Sequence, residues 1–381
     1  MLPDPTANDE ATRAAEPRSP RAWLRKIDWR VACLILAVKV LVLGFAALGV
    51  RTMTDDQPGF EQMWLRWDAM HYRMLAESGY ASTGEQRDSI VFYPMYPWFV
   101  RAISFVARDV FISTLIASAI ASIAAGLLLQ RLARLDAPAP VARQAVWFLF
   151  IFPTSYFLHI GYTESLFLTF LVGCVLAARL DCWAIAGALG ACACFTRVNG
   201  LILIPTLAVE ALHQYRLTKR IDWRWLWIGV VGLGFLGYLA LNYYVTGDPF
   251  AFQKIMEVRW YKKFTPPWRG ITDVWLRIPY ATLAEGLYEF AFIVLGFLCT
   301  VWCWVRLRPS YAVWMTLNWL LITSTAFVLS VPRYLLTFFP MFILFAVLSA
   351  KRPLIGMLLT AASLLFLALF ATRFAYGTWA F

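Results

Sequence analysis

Charge is scarce in this chain. Asp, Glu, Lys and Arg make up 15% of its 381 residues and 61% are hydrophobic, whereas soluble domains carry about 25% charged side chains. That shortage excludes a soluble two-domain enzyme, a disordered scaffold and a coiled coil. Metal-ligating patterns are missing too. There are only 3 His, no Cys-x-x-Cys pair and no His cluster. The seven cysteines (Cys33, Cys174, Cys182, Cys192, Cys194, Cys299 and Cys303) are odd in number and lie in or beside apolar runs. A zinc site and a disulfide framework are both disfavoured, which leaves these residues a helix-packing role. No Asp-x-Asp pair occurs, Asp55 and Asp56 being adjacent, and no internal repeat is visible.

What is abundant is apolar and aromatic. Aromatic residues reach 17%, with 18 Trp and 16 Tyr, as suits a protein with many membrane interfaces where amphipathic rings sit at headgroup level. The composition predicts an all-α polytopic membrane protein. Residues 1–22 are rich in proline and charge and poor in large apolar side chains, and read as a disordered cytoplasmic tail; 23–381 read as a single transmembrane domain. A first span over 31–50 follows Arg21, Arg25, Lys26 and Arg30, a signal anchor with its basic flank inside.

A hydrocarbon core of about 30 Å needs roughly 20 helical residues. On that ruler, later spans fall near 110–131, 144–160, 164–180, 183–196, 200–215, 225–245, 286–306, 311–330, 334–350 and 354–372, about eleven in all. Alternating the flanks places nearly all of the +11 formal charge on the cytoplasmic side. The basic excess is therefore a positive-inside bias, and nucleic acid is not an expected partner. Long loops at 51–109 and 246–285 fall outside and the inner loops are short, so chemistry is expected on the extracytoplasmic face.

The first outer loop carries MWLRWDAMHYRMLAESGY (63–80). At helical spacing Trp64, Trp67, His71 and Met74 form one stripe, which predicts an amphipathic interfacial helix. Asp68 then has His71 at i+3 and Tyr72 at i+4 on the same patch. A carboxylate in a partly dry aromatic interface is a competent base; the same spacing also fits one that merely caps or solvates the helix, the commoner outcome. A second interfacial helix is expected over VFYPMYPWFVRAISFV (91–106), where Pro94 and Pro97 suit its first turn and Arg101 argues against a span.

RWDAMHYRMLAESGY followed by VFYPMYPWFVR resembles the signature of the PIG-V family, whose eukaryotic members are the second mannosyltransferase of glycosylphosphatidylinositol anchor assembly, within the GT-C superfamily of multi-span glycosyltransferases. FPTSYFLHIGYTESLFL (152–168), TRVNGLILIP (196–205) and SVPRYLLTFFP (330–340) resemble it further, and DPFAF (248–252) with Trp260 does so more weakly. The matches run in family order over about 23–345.

The resemblance implies a GT-C-like bundle that moves mannose from a polyprenyl-phosphate (dolichyl-type) donor to a lipid-linked or glycolipid acceptor, among membrane lipids and without a cofactor. It places the catalytic base on Asp68. The leaving group is already a phosphate and needs no general acid, so one carboxylate suffices and the displacement inverts the anomeric centre. The phosphate needs cations. Arg197 and Arg333 fall at outer span ends and suit it, guanidinium forks matching phosphate oxygens, although interfacial snorkelling would explain either. Lys254, Arg259, Lys262 and Lys263 are looser candidates, better read as snorkelling to the interface. His71, Tyr72, Asn199 and Tyr334 are candidates for sugar hydroxyls. Glu164 would bind the acceptor or act as a second acid, or simply favour a helix N-terminus. Trp260 and Trp268 would stack on a sugar or anchor the loop. His159 reads as an interface histidine.

Two other readings stay open. The same fold could use another lipid-phosphate sugar or a protein hydroxyl acceptor. A lipid or sugar transporter would need intramembrane charge and repeats, and only Lys39 stands well inside a long apolar run.

Overall fold

The computed structural model describes residues 28–381 apart from 56 and 57. The expected tail over 1–22 lies outside them. Among the described residues there is no strand beyond an isolated bridge between Phe264 and Thr325. In chain order the helices are α1 (Trp29–Met53), α2 (Phe60–Trp64), α3 (Asp68–Ser78), α4 (Met95–Ala107), α5 (Val110–Arg134), α6 (Ala139–Phe150), α7 (Glu164–Arg179), α8 (Trp183–Cys194), α9 (Leu203–Thr218) and α10 (Val231–Thr246). There follow α11 (Ala251–Arg259), α12 (Pro267–Arg277), α13 (Glu289–Arg306), α14 (Pro309–Thr323), α15 (Val331–Tyr334), α16 (Phe339–Lys351) and α17 (Pro353–Tyr376).

Helices stand at each expected span, yet by length and composition only five can cross a bilayer: α1, α5, Trp223–Thr246, Ala284–Arg306 and α17. A sixth arises if Val331–Thr337 and Phe339–Lys351, bent by 81°, count as one. These apolar helices are those of an integral membrane protein. Helices α6 to α9 and α14 are shorter than the roughly 20 residues a lipid-facing span needs. Burial explains how one of them survives: α7 is covered along nearly its whole length. The expected span at 144–160 is corrected. Helix α6 stops at Phe150, and the chain around Pro153 continues as a wholly buried, irregular segment to Thr163. Proline cannot donate to a helix ladder. The buried segment satisfies its backbone locally and through side chains, with Ser122 Oγ donating to Leu158 O at 2.5 Å.

Small residues set the close approaches. Ser118, Ala121, Ser122, Ala125 and Gly126 of α5 are buried, a small-residue face that lets α7 and the irregular segment approach closely. A Cβ on Gly234 of α10 would collide with the carbonyl of Ala191 in α8. Lys39, the charge inside α1, is fully occupied: its Nζ donates to Leu115 O (2.9 Å), Ser118 Oγ (3.0 Å) and His159 O (2.8 Å). It pins α1 to α5 and to the irregular segment, a structural use of a costly charge.

Candidate active site

The helix carrying Asp68 starts one residue after a backbone break. Trp67 has φ 49° and ψ −122°, a conformation that costs a non-glycine residue roughly 1–3 kcal/mol and persists only where its surroundings impose it. Here they do. The Trp67 ring lies 4.8 Å from Phe374 and 5.6 Å from Trp379, centroid to centroid. Just upstream, Arg66 O accepts from Tyr162 Oη at 3.1 Å and Arg66 Nη2 donates to Ala375 O at 3.0 Å. The single interfacial helix expected over 63–80 is therefore corrected to two, α2 and α3. The buried face of α3 is Ala69, Tyr72, Leu75 and Ala76 rather than the Trp64–Met74 stripe. The break at Trp67 shifts the helical phase between the two halves of this stretch. The second expected helix is α4, with Pro94 at its start. Arg101 on it donates to Ala76 O (2.6 Å) and Leu75 O (3.2 Å), closing the end of α3.

Four charged side chains from four distant stretches form one bonded chain. Arg333 donates from Nη1 to Asp68 Oδ2 at 2.7 Å and from Nε to Glu164 Oε1 at 2.5 Å. Arg197 Nη1 donates to the same Glu164 oxygen at 2.5 Å and to Thr163 Oγ1 at 3.1 Å. Exposure grades along it: the Asp68 side chain is 29% exposed, Arg197 17%, Arg333 7% and Glu164 0%. Glu164 Oε2 is buried without a hydrogen-bond partner. The Arg333 guanidinium carbon stands 4.5 Å from the Tyr162 ring centre and 5.0 Å from Phe157. That of Arg197 stands 5.5 Å from Tyr334 and 5.9 Å from Phe167. Ring faces attract cations within about 6 Å, so both guanidinium planes are seated on aromatic rings as well as ion-paired.

Local sequence explains each placement. Glu164 opens α7, where a carboxylate meets the positive helix end. Arg197 follows the end of α8, and the chain then folds back so closely that a Cβ on Gly200 would sit 2.5 Å from Cys194 N. This is the physical need behind the glycine of the TRVNG stretch. Thr154 Oγ1 donates to Pro332 O at 2.8 Å, tying the irregular segment to the turn that bears Arg333.

The other candidates divide. Tyr72 is buried beside this chain, its ring 6.4 Å from Tyr162; burial, then the Asp68 carboxylate, pushes its phenol above the usual range, so it is a neutral donor. His71 meets Ser89 Oγ at 3.2 Å through Nδ1, stacks on Phe92 at 4.7 Å and faces Trp260 at 6.5 Å. Burial lowers the His71 pKa, with Asp68 and Asp88 opposing the shift. Tyr334 joins through Arg197. Asn199 does not join the chain; its Nδ2 donates to Asn318 Oδ1 at 3.1 Å. The four basic candidates of the second long loop are occupied elsewhere: Lys254 by Asp248, Arg259 by Asp88, Lys263 by Glu257, and Lys262 by Phe327 O. A shallow hollow of about 580 Å³ runs along Leu65, Trp67, Met70, His71 and Met74. It is lined by the neighbours of Asp68 but not by Asp68, Arg197 or Arg333. The acid and the guanidiniums meet by direct bonding. Among the described residues no three His, Cys, Asp or Glu side chains form a set that could hold a metal ion.

Sequence reasoning passed over Phe157, Tyr162 and Thr163. All three lie in the quoted FLHIGYTE stretch, and their signal was an aromatic and hydroxyl density too high for a span.

No protein-family model matches the sequence, and no curated protein does. Solved structures do. ArnT from Cupriavidus metallidurans in the apo state aligns at 18% identity and TM-score 0.50, over 87% of this chain and 63% of that one. The apo oligosaccharyltransferase of Archaeoglobus fulgidus aligns at 12% identity and TM-score 0.46, over 90% of this chain and 56% of that one. AglB from the same organism, in complex with an inhibitory peptide and a dolichol-phosphate, aligns at 14% identity and TM-score 0.43, over 89% and 55%. The chain spans between about half and just under two thirds of the length of these structures. The likeness to ArnT shows that the two chains share a fold.

Proposed function

We propose that this chain is a membrane mannosyltransferase of PIG-V type. It transfers mannose from a polyprenyl-phosphate-mannose to a lipid-linked or glycolipid acceptor by one inverting displacement at the extracytoplasmic face. The observation that carries the reading is the bonded series Asp68–Arg333–Glu164–Arg197, in which an acid and two guanidiniums named from the motifs stand together. The fold shared with ArnT agrees with it.

The chemistry follows from the charges. In the resting site Asp68 is held by Arg333, and two acids balance two cations. A donor phosphate adds an anion to that balance. Each guanidinium carries five N–H groups; Arg333 spends Nε and Nη1 here and Arg197 spends Nη1, so both keep donors for phosphate oxygens. As the phosphate engages Arg333, its hold on Asp68 loosens and the carboxylate is released to serve as base. The acceptor hydroxyl gives its proton to Asp68 while its oxygen attacks the anomeric carbon. The bond from that carbon to the phosphate oxygen breaks, and polyprenyl phosphate leaves with an added negative charge on Arg333 and Arg197. A β-linked donor gives an α-mannoside. Glu164 keeps the two cations from repelling each other, and the neutral Tyr72 phenol is suited to donate to a sugar oxygen. His71, Trp260 and the hollow along α3 form the approach for the acceptor. The hollow's methionines and tryptophan suit a ring carried on a lipid.

The test is a donor and acceptor screen on purified protein with mass detection. Turnover of polyprenyl-phosphate-mannose to a mannosylated lipid is expected. Turnover of another lipid-phosphate sugar, or of a peptide hydroxyl, would keep the fold's chemistry and overturn the specificity. Passage of intact donor across a vesicle membrane with no new glycosidic bond would overturn the enzyme reading altogether.

A further inference from the structure

Arg333 sits on a short turn whose aim is set by a side chain outside the ion chain. Glu289, the first residue of α13, is wholly buried. One of its carboxylate oxygens accepts from Ser330 N at 2.6 Å and the other from Val331 N at 2.8 Å. These N–H groups open α15, where no intrahelical acceptor exists for them. Ser330 is left-handed, at φ 70° and ψ 24°, so the chain reverses sharply under this grip. The approach to the turn is held from the other side. Arg277 Nη2 donates to Val328 O at 2.7 Å, Lys262 Nζ to Phe327 O at 2.8 Å, and Ala326 N to Lys263 O at 2.8 Å.

We propose that Glu289 is a positioning residue: by gripping both N–H groups of the Ser330–Val331 turn it sets the direction in which Arg333 meets Asp68, Glu164 and the phosphate. A buried carboxylate within an apolar segment is expensive, and a serine or asparagine would satisfy a single N–H. Two oxygens on consecutive N–H groups do more, because they fix the rotation of the turn and not only its solvation. Two residues further on, Arg333 makes directed bonds of 2.5 and 2.7 Å to two different carboxylates, which tolerate little rotation of their base.

The phosphate part of this inference rests on the proposed function, and its test separates the two. The full chain is purified in detergent as the parent, Glu289→Gln, Arg333→Ala and the double variant, and binding of undecaprenyl phosphate is measured. The Gln amide turns an NH2 donor onto one of the two N–H groups, so Glu289→Gln is expected to weaken binding about tenfold. In the Arg333→Ala background the same change is expected to add less than twofold, since its route is gone. Parent-like binding by Glu289→Gln, or two losses that multiply independently, would overturn the proposal. If Glu289→Gln is not monodisperse, Glu289→Asp decides on the same criteria: it keeps the charge but is too short to reach both N–H groups. If the parent itself does not bind undecaprenyl phosphate, the donor assignment fails. The positioning role is then judged by thermal unfolding of the same four proteins, where coupled losses uphold it and additive losses overturn it.

Discussion

Replacing Glu164 by Gln removes the one negative charge that two guanidiniums share. The side chain is 0% exposed and meets Arg333 and Arg197 at 2.5 Å each. Breaking a buried ion pair by deleting one partner costs about 3–5 kcal/mol, because the other charge is left uncompensated. Gln retains a carbonyl oxygen that still accepts from one guanidinium, and Asp68 still holds Arg333, so the low end, about 3 kcal/mol, is expected for the empty protein. The same deletion leaves the pair of cations short of an anion, which a lipid phosphate supplies. Undecaprenyl phosphate should therefore stabilise Glu164→Gln more than it stabilises the parent. Recovery of about 1.4 kcal/mol corresponds to a tenfold tighter complex. Thermal unfolding in detergent, with and without the lipid phosphate, measures both terms. A variant as stable as the parent when empty would refute the shared-charge reasoning. So would a lipid-induced shift equal to or smaller than the parent's.

Arg197→Ala removes a charge-assisted contact worth about 1.5–3 kcal/mol, so the donor KM should rise roughly tenfold or more with a smaller change in kcat; steady-state kinetics at saturating acceptor decide it. Gly234→Ala forces a methyl against the Ala191 carbonyl and should destabilise by about 1–3 kcal/mol, read as a lowered Tm. His71 titrates below its ordinary 6.5 because burial disfavours its charged form. The unfolded chain therefore binds a proton that the native chain refuses, and stability falls as pH drops below about 6.5 until the native pKa is reached. His71→Gln should flatten that slope in pH-dependent melting, and an unchanged slope would refute the assignment.

The members of the charged cluster were legible because they sit in short ordered stretches. RWDAMHY, TRVNG and SVPRY each pointed to one charged group with a chemical use. What could not be read was how they connect. That Arg333 reaches both Asp68 and Glu164 depends on contacts across 265 and 169 residues, and no local pattern carries such pairings. The phase of α3 was misread because the break at Trp67 is imposed by Phe374 and Trp379, at the far end of the chain and outside every motif. The number of spans is not readable from hydropathy for a related reason. Hydropathy records how apolar a stretch is, not whether lipid or protein covers it, and α7 is covered by protein. Glu289 escaped notice within an apolar run, its role visible only once the turn at Ser330 lay against it.

Transfer by Asp68→Asn tests the central claim most directly. The amide oxygen can still accept from Arg333, so the fold and the donor affinity should persist within a few-fold. Without a base, single-turnover transfer of mannose from the lipid phosphate should fall by roughly 10²–10⁴-fold. A variant that binds donor normally and transfers at the parent rate would contradict the assignment of Asp68 as the proton acceptor.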